Sequence, residues 1–155
     1  RYLLANKIYI PKNEYERKII TLFQEVDDMR GTIYPETVLF SAKHRLAGTA
    51  DIIEDCGDYF NVRDFKNNKK ISYISEYGHW LNAPVSHLTD CQYSVYSLQM
   101  SIYAYMYQME TRKKVGKMNL FYLNPETEKF EVIYVPYMGL EAKRVLDFWV
   151  EKNKK

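Results

Sequence analysis

The sequence predicts a mixed α/β (α+β) protein in which a central mixed sheet is flanked by helices. Three observations predict it. The apolar pattern switches between helical and strand periods in the order helix, three strands, helix, hairpin, helix. The chain has 155 residues, 46% of them apolar, which is enough for a sizeable core and one domain spanning 1–155. No internal repeat or low-complexity linker divides it.

Taken in order, the elements follow from local patterns. From Asn13, a plausible N-cap, Tyr15, Ile19, Ile20, Leu22, Phe23 and Val26 recur at helical spacing, with Gly31 as a stop. "TIYPETVLFS" reads as a strand that Pro35 confines to an edge or a bulge. "HRLAGTADIIED" is a second strand. "DCGD", Asp55 to Asp58, is turn chemistry, and "YFNVRDFK" completes an antiparallel meander. From Asn67 to about Asp90 the periodicity lapses into a long loop, and long loops within compact domains are often functional. Tyr93 to Glu110 is a helix, with Val95, Leu98, Ile102, Tyr105 and Met109 expected as its packing face and Gln92, Tyr96, Gln99 and Tyr103 on the opposite one. "KMNLFYLNPETEKFEVIYVPY" is a hairpin about the turn "NPET", and "LEAKRVLDFWVEKN" is an amphipathic helix. The chain opens at Arg1 without methionine, so the expectation is that first residues are missing or belong to a longer protein, with an N-terminal helix among them.

Composition excludes several classes. A net charge of +2 argues neither for nor against nucleic acid, so any polyanion site is a local patch. Lysines and arginines cluster at Lys66, Lys69 and Lys70 and at Arg112, Lys113, Lys114 and Lys117; such runs are solvated faces or binding surfaces. Two cysteines, Cys56 and Cys91, cannot build a four-cysteine zinc or iron–sulfur site. No apolar run approaches a membrane span and no signal peptide is visible, so the cytoplasm is the default location. Fifteen tyrosines, each an apolar ring with a polar tip, suit either a core rim or stacking on bases.

The chemistry concentrates in two strands that otherwise read as core. Asp51 and Ile53 share one face of the second strand, and Val62, Asp64 and Lys66 share one face of the third. Pairing through the Cys56–Gly57 turn makes Asp51 and Asp64 neighbours. Two carboxylates side by side in a partly buried sheet repel, and a hard divalent cation, Mg²⁺ or Mn²⁺, removes that penalty. Lys66 then either activates a metal-bound water or stabilises charge on a phosphate. The plainer reading is a same-face surface pair of Asp64 and Lys66. Gly48, three residues before Asp51, points to close approach of another group to the strand.

"GTADII", "VRDFK" and "LQMSIYAYM", in that order, resemble the PD-(D/E)XK nuclease superfamily, in particular its RecB-like branch, which includes many phage exonucleases. That branch reads G-x-x-D, then D/E-x-K, then Q-x-x-x-Y on a helix. The resemblance runs from about Glu36 to Met109 and implies a restriction-endonuclease-like core. It implies that Asp51 and Asp64 bind the metal together with the Phe65 carbonyl, that Lys66 is the catalytic lysine, and that Gln99 and Tyr103 hold the lysine or the DNA backbone. Glu36 matches an acid that often precedes the G-x-x-D strand. Lys69, Lys70 and Tyr96 would contact the substrate. Ala50 stands where the family's name-giving proline often sits, and Asn67 where threonine often follows the lysine. The branch often carries a metal-ligating His or Glu on an upstream helix. None of His44, His79 and His87 lies on the first helix, which leaves Glu14, Glu16 or a residue before Arg1 for that role. His44 reads as a surface residue, and His79, beside Trp80 in the long loop, as either a plain loop residue or one that reaches substrate.

The expected function is therefore a Mg²⁺- or Mn²⁺-dependent deoxyribonuclease, of exonuclease type, hydrolysing phosphodiester bonds through a metal-activated water. DNA is the expected partner, together with a helicase or another replication or recombination protein, in a bacterial host, a phage-infected one included. The alternatives are a catalytically incomplete nuclease-fold DNA-binding or helicase-associated module, and a protein-interaction domain with a Tyr-rich face.

Overall fold

The computed structural model describes residues 11–14, 16–17, 20–21, 29–127 and 129–154. Asn13 does open a helical turn: its Oδ1 accepts the Glu16 N–H at 2.8 Å and its carbonyl the Arg17 N–H at 3.1 Å. Tyr15, Ile19, Leu22, Phe23 and Val26, most of the apolar face expected there, lie outside the described residues.

A five-stranded sheet runs in the order β1 (Thr32–Ser41), β2 (Leu46–Asp55), β3 (Tyr59–Lys66), β4 (Lys114–Leu123), β5 (Phe130–Tyr134). The first three strands form the antiparallel meander, β4 lies parallel to β3, and β5 returns antiparallel on β4. Pro35 is accommodated because β1 is an edge strand, where a missing N–H need not break a ladder. The β2–β3 turn is closed by Asp55, whose Oδ1 accepts the Gly57 N–H at 2.9 Å. Gly57 has φ +90°, a conformation that side chains resist. Asn124 does the same for the β4–β5 turn, accepting N–H bonds from Glu126 and Thr127 at 2.9 and 3.1 Å.

A parallel β3–β4 pair demands a crossover. It is supplied by the loop from Asn67 to Asp90 and by α1 (Gln92–Thr111). Cys91, in extended conformation, donates no side-chain cap to α1. Instead Ser72 takes up the first helical N–H groups, accepting Gln92 N–H on Oγ at 3.3 Å and Tyr93 N–H on its carbonyl at 3.0 Å. The loop and the helix are thereby one unit. The helix ends at Arg112 in the left-handed region, φ +63°, with its N–H on the Gln108 carbonyl.

The expected packing face of α1 is corrected in part, for Ile102 and Tyr105 do pack on the core. Ser97, Met100, Ser101, Ala104 and Met106 are buried, whereas Val95 and Met109 are exposed. Small residues let neighbouring elements lie close to the helix, Ser101 Oγ accepting the Met138 N–H at 3.0 Å, and the two serines donate their hydroxyls to the Tyr93 and Ser97 carbonyls, both at 2.7 Å. The covered sheet face contributes Ile53, Phe60, Val62 and Leu120, each worth about 1.5–3 kcal/mol on full burial. α2 (Gly139–Lys152) packs on α1 through Ala142 and Leu146. His44 is a second correction, since it is buried rather than a surface residue. Its ring bonds Ser41 Oγ at 2.6 Å on one side and faces Asp147 of α2 at 3.4 Å on the other. Among the described residues no helix is long and apolar enough to cross a membrane.

Candidate active site

Asp51, Asp64 and Lys66 are set by the β2–β3 hairpin. Ile52 pairs with Arg63, so one step further Asp51 stands opposite Asp64. Asp51 is anchored across the strands: its Oδ2 accepts the Phe65 N–H at 2.8 Å. Asp64 and Lys66 leave β3 on the side of Phe60 and Val62, which α1 covers. Phe60 meets the Tyr107 ring at 4.6 Å, and Lys66 Nζ lies 4.5 Å from the Tyr96 ring centroid. The Lys66 ammonium is also 2.6 Å from Asp64 Oδ2. That contact is Coulombic rather than an aligned hydrogen bond, for the buried Oδ2 otherwise has no donor. Asp51 and Asp64 are only 9% and 5% exposed, so this is charge held in the sheet and not a surface pair.

Tyr96, Gln99 and Tyr103 face the sheet rather than lying opposite the packing face as expected, while Gln92 faces the loop, its Oε1 accepting the Ser72 N–H at 3.0 Å. Gln99 Nε2 donates to the Tyr103 hydroxyl at 3.0 Å. The Tyr103 ring fills the space beside Gly48, where an added Cβ would come within 2.7 Å of Cε1. The helix thus meets β2 three residues before Asp51 and meets β3 at Lys66. Tyr96 is held in turn by Asn68, whose Oδ1 accepts its hydroxyl at 3.0 Å, a contact that no sequence signal marked.

The back of the sheet carries a second buried charge system that sequence reasoning missed. Glu54 receives Asn61 Nδ2 and Arg63 on Oε2, both at 2.8 Å, and the Arg30 and Gly31 N–H groups on Oε1 at 2.7 and 3.1 Å. Burial raises the Glu54 carboxyl, but the donors from Asn61, Arg63, Gly31 and Arg30 outweigh it and leave the group below its ordinary value. The signal was there: Glu54, Asn61 and Arg63 fall on alternate positions of two strands that read as core. Of the basic cluster after α1, Lys113 is structural, bonding Asp55 Oδ1 at 2.6 Å and clasping the end of the helix to the β2–β3 turn.

Glu36 lies on β1 between the pairs Pro35–Ile52 and Thr37–Ala50, opposite Asp51 in the register, exposed and with φ +48°. Glu14 is also exposed and Glu16 is half-buried, its Oε2 accepting the Lys12 N–H at 2.7 Å. Among the described residues no three His, Cys, Asp or Glu side chains converge, so Glu36 does not complete a three-acid group with Asp51 and Asp64. The donors that do meet are hard oxygens, including a buried Asp64 oxygen without an aligned donor. They fit a small divalent cation, which takes one or two carboxylates and fills its remaining positions with water and phosphate. Lys69 and Lys70 line a cleft of about 900 Å³ that runs beside Tyr96 between the loop and α1, with Lys69 also paired to Glu126 at 3.3 Å.

The two acids, the lysine two positions on and the covering helix thus meet on one face of the sheet. A profile of the PD-(D/E)XK nuclease superfamily matches residues 9–152, and the chain belongs to that superfamily, with its restriction-endonuclease-like fold. Nucleases of this superfamily generally use divalent metal ions. Among solved structures, a candidate exonuclease from Eubacterium rectale superposes with a TM-score of 0.55 at 16% identity, over 95% of this chain and 55% of that one. That likeness is one of fold, and the chain spans about half the length of that protein. No curated protein sequence matches.

Proposed function

We propose that the chain is a metal-dependent deoxyribonuclease of the RecB-like exonuclease type, hydrolysing phosphodiester bonds in DNA. The observation that carries this reading is the meeting, on adjacent strands, of Asp51 tied to the Phe65 amide with the buried Asp64–Lys66 pair. Asp51, Asp64 and the Phe65 carbonyl would hold Mg²⁺ or Mn²⁺, with Glu36 joining through water. A cation there supplies Lewis acidity and lowers the pKa of a bound water. Lys66 faces the charge that grows on the phosphate, its head kept in place by Asp64 and the Tyr96 ring. Gln99 and Tyr103, bonded to each other, fix the helix side of the site. Lys69 and Lys70 contact the strand. The RecB-like resemblance supports a cytoplasmic setting in a bacterial host, a phage-infected one included, beside a helicase or another replication or recombination protein.

The test is digestion of end-labelled DNA with Mg²⁺ or Mn²⁺. Cleavage should vanish in Asp64→Ala and in Lys66→Ala, and undiminished cleavage in both would overturn the assignment. A second reading, a catalytically incomplete nuclease-fold module that binds DNA or serves a helicase, is favoured by one observation: only two candidate acids meet among the described residues. Calorimetry separates the two, because DNA binding without Mn²⁺ binding selects the module.

A further inference from the structure

The loop from Asn67 to Asp90 exposes several large apolar side chains, among them Tyr77 at 75%. Several tyrosines elsewhere in the fold have structural work. Tyr93, Tyr122 and Tyr137 donate to the Tyr134 carbonyl, the Lys69 carbonyl and Gln108. Tyr77 instead lines the cleft beside Tyr96 and pairs with His79, ring centroids 5.9 Å apart and tilted by 40°. The pair sits on a built turn. Gly78 has φ +67°, the His79 N–H bonds Ser75 Oγ at 2.8 Å, and the His79 carbonyl accepts the Asp90 N–H at 3.0 Å just before α1.

We infer that this cleft is the track of an unpaired DNA strand, with Tyr77 and His79 as its base-stacking platform and the strand leading past Tyr96 to Lys66. The inference rests on the nuclease reading above and deepens it by naming the substrate class. The exposed rings decide for a single strand over a duplex. A duplex keeps its base faces stacked inside and offers a protein phosphates and groove edges, whereas an unpaired strand offers base faces to aromatic rings. The charge in the cleft is nearly balanced, Lys69 and Lys70 standing against Glu76 and Asp90, so the aromatic rings must supply much of the binding there. The first N–H groups of α1, a potential phosphate seat, are already taken by Ser72.

The test is fluorescence anisotropy of the wild-type chain in EDTA, with labelled oligothymidylate and with a blunt duplex of equal length. Single strand should bind at least about tenfold more tightly, and Tyr77→Ala should weaken it by about tenfold while Tyr77→Phe does not. Thermal melts of these exposed-site variants confirm folding. Equal affinity for both DNAs, no single-strand binding, or indifference to Tyr77→Ala and His79→Ala together overturns the inference; so does Tyr77-dependent capture of a protein instead of DNA. The two readings fail separately. Tyr77-dependent single-strand binding without any Mg²⁺- or Mn²⁺-dependent cleavage sinks only the nuclease, and cleavage of both DNAs that ignores Tyr77 and His79 sinks only the track.

Discussion

The Lys66 ammonium lies between an anion and an aromatic face, 2.6 Å from Asp64 Oδ2 and 4.5 Å from the centroid of the Tyr96 ring. Asp64 and Lys66 belong to β3 and Tyr96 to α1, so the lysine is positioned only when helix and sheet are docked. A cation over a partly desolvated ring gains about 0.5–2 kcal/mol. Tyr96→Leu should therefore slow cleavage by roughly twofold to thirtyfold with folding intact, and Tyr96→Phe, which keeps the ring, should retain most of the rate. Single-turnover cleavage checks this, and a Leu variant as fast as wild type would remove Tyr96 from the site.

Gly48 and Tyr103 are coupled by shape. Gly48→Ala puts a methyl within 2.7 Å of the Tyr103 ring, which must swing away from Gln99. The expected cost is about 1–3 kcal/mol of stability. In a Tyr103→Ala background the same substitution should cost almost nothing, since the clash is gone. Denaturant unfolding of the four proteins measures the coupling, and strictly additive losses would dissociate the two residues.

The Glu54–Arg63 pair predicts both a mutational and an acid response. Arg63→Met strands a buried carboxylate and should cost about 3–5 kcal/mol. Because the folded Glu54 carboxyl lies below its ordinary value of 4.5, its contribution is complete above that pH and is lost as pH falls through the folded value. Wild type should lose more stability than Glu54→Gln between neutral pH and pH of about 3. Parallel loss in the two proteins, followed by urea unfolding, would mean that Glu54 titrates normally.

Metal binding should register without any turnover. A cation held by Asp51 and Asp64 binds only the folded chain, so Mn²⁺ at about a hundred times its dissociation constant adds about 2.7 kcal/mol. The melting temperature should rise with Mn²⁺ in wild type and not in the Asp51→Asn, Asp64→Asn double variant. An equal rise in both would place the ion elsewhere.

Much of this was legible in the chain. The meander was readable because alternation, Pro35, and the Asp55–Asp58 turn all agree on the same strands, and Asp51, Asp64 and Lys66 stand out as charges among core positions. The α1 face was not readable, because apolar and aromatic residues surround the helix. Hydrophobicity favours Val95 and Met109, whereas closeness of approach selects Ser97, Ser101 and Ala104. His44 escaped for a different reason: it is buried against a partner distant in sequence, Asp147, and nothing local reports it, whereas Glu54 and Arg63, nine residues apart, were marked by their places in core strands.

The parallel pairing of β3 with β4 has a consequence for the order in which the protein assembles. Asp51, Asp64 and Lys66 lie on a hairpin closed by one tight turn, whereas β4 returns only after the loop and α1, its Lys117 amide reaching back 56 residues to Asn61. Local pairings close sooner than distant ones. The acids should therefore be in place before Tyr96, Gln99 and Tyr103 arrive, leaving a nascent chain with its charges assembled and its lysine still unplaced. Pulse-labelled hydrogen exchange should protect the Phe65 amide before the Lys117 amide, and the reverse order would rule this sequence out.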